Sequence, residues 1–253
     1  MLKKVASVYN EKNFYMKEMI QMIRIKRALL RALLFILVVF IMIFTVTGVV
    51  YASPLSEIYW MSASGAGVGP GGTAAIQTYL NNVGYNAKRY QDTSAYYVRR
   101  TMNNDVVFAI VTHGNPGRVY CNGGTTVSAN IVLNDDDNYS LEARFGSGDF
   151  NGMKFAYYGA CYTARTDSTY GNLLQYTTAT LGAKSALGFY NAVSDAHATY
   201  FETKLFYKLC QGSTLANARS YALTATYDKY GSYGEVNSSR IYGNSSTTIY
   251  PIN

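Results

Sequence analysis

Two residues capable of nucleophilic chemistry occupy matching places in the sequence. His113 sits at the end of the run VVFAIVTHG (106–114), and Cys161 closes MKFAYYGAC (153–161), 48 residues further on. Each follows a stretch of apolar and small residues of the length expected for a strand covered on both faces. Thiolate is the nucleophilic form of cysteine, and a neighbouring imidazole can take its proton and later return it. Gly114 follows the histidine directly. Lacking a Cβ, its backbone can approach a substrate closely, and its N–H could hold an oxyanion together with that of Cys161. In open α/β sheets, ligands bind beyond the carboxyl ends of the strands, so adjacency of these two strands would bring imidazole and thiol to one edge. The competing reading is a packed histidine and an inert thiol, since free Cys is among the most buried residue types.

The elements that must position these residues alternate along the chain. Residues 73–83 repeat apolar positions at helical spacing, with Gly84 as the stop. A short strand is predicted over 86–91, then a helix over 93–102 capped by Thr93 or Ser94. Residues 118–133 alternate around Asn122-Gly123-Gly124, a hairpin signal. The polar stretch 134–152 reads as a solvated loop; its run Asp135-Asp136-Asp137 fails the EF-hand template because Tyr139 takes the fifth position and no glycine follows. A helix is predicted over 169–181, a strand over 184–190, and a long helical stretch over 195–225 broken near Gly212. Such alternation predicts an α/β fold: a three-layer α/β/α sandwich around a mostly parallel central sheet. The glycine-rich stretch SASGAGVGPGG (62–72) lacks the Lys-Ser/Thr ending of a phosphate-binding loop and follows no convincing long strand, so it reads as a close-packed or flexible loop.

The N-terminal part has a different character. Of 22 basic and 15 acidic side chains in 253 residues, residues 1–52 hold eight and two. Residues 32–51, ALLFILVVFIMIFTVTGVVY, carry no charge and have the length needed to cross a bilayer. Val50-Tyr51-Ala52 fits the small-residue rule for signal peptidase, so 1–52 reads as an export signal, with a retained membrane anchor as the alternative. Either reading puts residues 53–253, a single domain, outside the cell or on its outer face. Membrane contact is then confined to the N-terminal segment. The remaining 14 bases and 13 acids give +1, so the formal charge of +7 offers no support for nucleic-acid binding.

Other reactive residues have plainer readings. An odd cysteine count leaves at least one unpaired thiol; a Cys121–Cys210 disulfide is conceivable, and both residues also suit a core. No ligand spacing for zinc is present, and no metal site is expected. His197 lies between Ala196 and Ala198 in a predicted helix, which suits a structural role. The 25 tyrosines could line a glycan-binding surface or serve as ordinary core material.

Taken together, VVFAIVTHG and MKFAYYGAC resemble the caspase-like, clan CD cysteine peptidases, which include caspases, metacaspases, gingipains, clostripain and CHAT domains. In that family an apolar strand ends in His-Gly and the next core strand ends in Ala-Cys. The stretch 173–218 is similar to the CHAT pattern: a helix, Gly-Ala, a strand ending near Gly, an Asp before a helix, then Phe-Tyr-x-x-Leu and Gly-Ser-Thr-Leu. The resemblance covers about 73–223. It departs in carrying Tyr162 and Thr163 after the cysteine, and Gly159 two positions before it. It implies a peptidase using Cys161 as nucleophile and His113 as acid and base, with an oxyanion hole from the N–H groups of Gly114 and Cys161. Relatives specific for basic residues place an acid in the substrate pocket, which here points to Asp195 or Asp167; helix capping is the alternative for both. It further implies a peptide or protein substrate and no cofactor, although some relatives require calcium. A caspase-like surface binding or signalling module without hydrolysis is the alternative function.

Overall fold

The computed structural model describes residues 16, 19, 21–38, 52–62, 70–133 and 135–250. The chain divides into two compact units, Met1–Ala52 and Ser53–Asn253. In the first, residues 21–38 are helical, and among the described residues no helix is long and apolar enough to cross a membrane. Residues 39–51, which hold most of the predicted apolar span and the approach to the cleavage site, lie outside the described residues, as do residues 63–69 of the glycine-rich stretch.

The second unit is built on a six-stranded sheet among the described residues, in the order β2-β1-β3-β7-β8-β9. Its strands are β1 (Leu55–Trp60), β2 (Asn86–Gln91), β3 (Val107–Val111), β7 (Phe155–Gly159), β8 (Ser185–Phe189) and β9 (Ser239–Gly243). All neighbours pair parallel except β8 and β9, which are antiparallel. A smaller antiparallel sheet, β4 (Gly114–Asn115), β5 (Arg118–Tyr120) and β6 (Thr126–Ser128), follows β3 directly.

Alternation along the strands separates two cores. Ile58, Trp60, Val107, Ala109, Val111, Phe155, Tyr157, Leu187 and Phe189 face one side. They pack there with residues from α1 (Gly71–Asn82), α4 (Asp195–Leu209) and α5 (Leu215–Tyr230). Tyr59, Phe108, Ile110, Ala156, Tyr158 and Ala186 face the other side, against α2 (Ala95–Thr101), α3 (Leu173–Gln175) and the 141–153 loop. Covering both faces explains why β3, β7 and β8 are buried throughout, with no polar face. The result is a three-layer α/β/α sandwich.

Three local expectations need correction. The central strand β1 precedes the glycine-rich stretch, although its polar Ser56 and Glu57 hide it in the sequence. Both are buried and partnered: Ser56 Oγ donates to the Val107 carbonyl at 2.7 Å, and the Glu57 carboxylate accepts from Tyr59 Oη of its own strand at 2.7 Å and from Tyr90 Oη of β2 at 3.3 Å. The helix expected over 169–181 begins only at Leu173 and widens into a π-turn at Tyr176–Thr180. Thr177 and Thr178 donate their hydroxyls to the carbonyls of Leu173 and Leu174, at 2.8 and 3.0 Å, competing with the regular helical ladder. Ser94 stands at the start of α2 without a side-chain cap; Thr125 Oγ1 accepts the Ala95 N–H at 2.9 Å instead. Of the two readings open for Cys121 and Cys210, the core is the one found: both are free and lie in the cores on opposite faces of the sheet, so they form no disulfide.

Candidate active site

β3 and β7 are neighbours, and their register places Val111 opposite Gly159 as the last pair of the ladder. His113 and Cys161 each stand two residues beyond that pair. A further bond carries the pairing onward, with the Thr112 N–H donating to the Gly159 carbonyl at 3.3 Å. Both strands therefore deliver their reactive residue to the carboxyl edge of the sheet at one level.

Local contacts hold each exit. Thr112 Oγ1 donates to the Tyr120 carbonyl at 2.7 Å, and the His113 carbonyl accepts the Tyr120 N–H at 3.0 Å, so the β4–β5 hairpin braces the histidine's backbone. On the β7 side, buried Thr163 donates to the carbonyls of Tyr158 and Ala160, at 3.2 and 3.0 Å. The same hydroxyl accepts the Phe189 N–H at 3.2 Å, joining this turn to the end of β8. The cysteine turn is sharp: Tyr162, immediately after Cys161, has φ +62°.

His113 and Cys161 are half-buried and line one small cleft of about 50 Å³. Gly159 and Ala160 lie on its β7 side, Val193 on the loop after β8, and Asp195, Ala198 and Thr199 on the first turns of α4. The Val193 N–H points at the sulfur, with the nitrogen 3.3 Å from Cys161 Sγ. The Val193 carbonyl lies 3.9 Å from that sulfur. Nothing in the local sequence around Val193 announces this contact, because it depends on where the loop after β8 returns.

No protein-family model matches the sequence, and neither does any curated protein. Solved structures do match in shape. The Arg-specific cysteine proteinase gingipain R superposes with a TM-score of 0.56 at 12% identity, over 78% of this chain and 47% of that one. The complex of Porphyromonas gingivalis RgpB pro- and mature domains gives 0.55 at 13% identity, over 78% and 48%. The fold is caspase-like. Caspase-1 from Spodoptera frugiperda has a TM-score of 0.48 at 12% identity, over 76% of this chain and 86% of that one. This caspase-like chain spans about half the length of the gingipain chains it matches.

Within the caspase-like domain the two candidate acids part company. Asp195 is exposed, opens α4 and lines the cleft. Asp167 does not line it; its Oδ1 accepts the N–H groups of Thr169 and Tyr170, at 2.7 and 3.0 Å, inside its own turn. His197 likewise stays clear of the cleft: its ring lies between the hydroxyls of Ser194 and Ser232, at 3.0 and 3.1 Å, and packs on Tyr230.

Proposed function

We propose that this domain is a cysteine-type peptidase, with Cys161 as nucleophile and His113 as its acid and base. The Cys161 thiolate attacks the scissile carbonyl carbon, and the N–H groups of Gly114 and Cys161 hold the developing oxyanion. The C–N bond then breaks as His113 gives its proton to the leaving amine, which leaves a thioester. Water, deprotonated by His113, hydrolyses that thioester and restores the thiol. Asp195, exposed on the cleft wall, is the acid we assign to substrate binding. The reading extends to location: residues 1–52 serve as an export signal or anchor, and the catalytic domain works outside the cell on peptide or protein substrates.

One observation carries this reading: His113 and Cys161 lie equally far beyond a shared final pair, on adjacent strands, and line the same cleft. Its test is labelling by an acyloxymethyl-ketone probe. Wild-type protein should be labelled at Cys161, and both Cys161→Ala and His113→Ala should abolish labelling while keeping a folded far-ultraviolet spectrum. Labelling that survives either substitution refutes the assigned pair. A folded wild-type protein that never labels favours the non-hydrolytic binding module instead.

A further inference from the structure

The backbone of Tyr162 is held in the left-handed region, which is costly for a bulky side chain and persists only where surrounding structure enforces it. Its contacts run to Arg165 and Asn191. The Arg165 guanidinium lies 4.7 Å from the centre of the Tyr162 ring and 4.8 Å from that of Tyr190, bridging the two. Nε donates to the Tyr190 carbonyl at 2.6 Å, and Nη2 donates to Asn191 Oδ1 at 3.1 Å. Main-chain bonds run alongside: the Arg165 N–H donates to the Tyr162 carbonyl at 2.9 Å, and the Tyr162 N–H to the Asn191 carbonyl at 3.4 Å.

Asn191 is itself anchored from behind. Its N–H donates to Ser238 Oγ at 3.1 Å, and its Nδ2 to Glu235 Oε2 at 2.8 Å. Two residues further along that loop is Val193, whose N–H meets the sulfur. Arg165 therefore fastens the turn that carries the thiol to the loop that contacts it.

We infer that Arg165 is a positioning residue for Cys161, setting the sulfur's place against Val193; the inference rests on Cys161 being the nucleophile proposed above. A guanidinium suits this role because it offers two flat faces for the rings and in-plane donors for the two oxygens. A lysine ammonium, a compact point charge, cannot do both.

The test compares full-length wild type with Arg165→Ala and Arg165→Lys. Readouts are the rate of acyloxymethyl-ketone labelling at saturating probe, iodoacetamide alkylation of Cys161 followed by peptide mass, and the thermal midpoint. Misplacing the sulfur in Arg165→Ala should slow labelling on the order of 100-fold, with little change in the midpoint and little recovery in Arg165→Lys. Added methylguanidinium should restore part of the rate, since it can remake the contacts to the two rings and the two oxygens. Wild-type rates in Arg165→Ala, or a loss that tracks unfolding and does not respond to methylguanidinium, would overturn the inference. If wild-type Cys161 is never labelled by the ketone, the peptidase reading fails; the alkylation rates then still decide whether Arg165 controls this sulfur.

Discussion

Gly114 packs directly on the main chain of Cys161. A Cβ built on this glycine would lie 2.5 Å from the Cys161 carbonyl oxygen and 2.9 Å from the Ala160 Cβ. The residue after the histidine thus has no side chain because the cysteine turn occupies that space.

Gly114→Ala should therefore push the two strand exits apart. We expect a loss of stability on the order of 1–3 kcal/mol, the usual cost of overpacking, and a larger proportional loss of probe labelling at Cys161. Gly146→Ala is the control, because a Cβ there meets nothing within 4 Å and the backbone needs no positive φ. Urea denaturation of both variants, with labelling rates measured beside it, checks the expectation. Equal behaviour of the two variants would show that the exits tolerate separation.

The three thiols should react very unequally. Burial pushes Cys121 up to about 12 and does the same to Cys210, so neither supplies thiolate near neutrality. Cys161 is the half-buried one. Native protein treated with iodoacetamide at about pH 8 should carry one modification, at Cys161, and gain the other two only after unfolding. Peptide mass mapping reads this directly, and fast native modification of Cys121 or Cys210 would contradict it.

Far from the cleft, stability should depend on pH through a buried acid. Asp105 Oδ1 accepts the Glu57 N–H at 2.8 Å, while Oδ2 has no hydrogen-bond partner among the described residues. Burial first, and then the nearby Glu57 charge, push Asp105 up to about 9. The folded protein keeps a proton that an unfolded aspartate releases at about pH 4, so unfolding releases a proton in between and stability falls as pH rises from about 4 to about 9. Burial raises Glu202 as well, which adds a slope of the same sign. Asp105→Asn, which mimics the protonated acid, should flatten the profile and stabilise the protein by on the order of 1–3 kcal/mol at about pH 8. Denaturation midpoints across that range test it; an unchanged slope would mean that Asp105 is ionised in the fold.

Much of the architecture is legible in residue order. β3, β7 and β8 announce themselves because strands covered on both faces are continuously apolar, and that property is local. The break between α4 and α5 is legible at Gly212, which adopts φ +82°. β1 and β9 are not legible. LSEIYW places Ser56 and Glu57 inside the fold, made tolerable by the Val107 carbonyl and the Tyr59 hydroxyl. SRIYG is a short edge strand that acquires its meaning only by pairing with β8.

For the site, the sequence by itself determined which chemistry is available: a histidine followed by glycine and a cysteine, each at the end of an apolar strand. Tertiary structure alone decided that those strands are neighbours in matching register, that Asp195 rather than Asp167 borders the cleft, and that Val193 and Arg165 come to the cysteine turn. The physical reason is range. Burial on both faces is written into successive residues, whereas register and loop return are set by packing between segments dozens of residues apart.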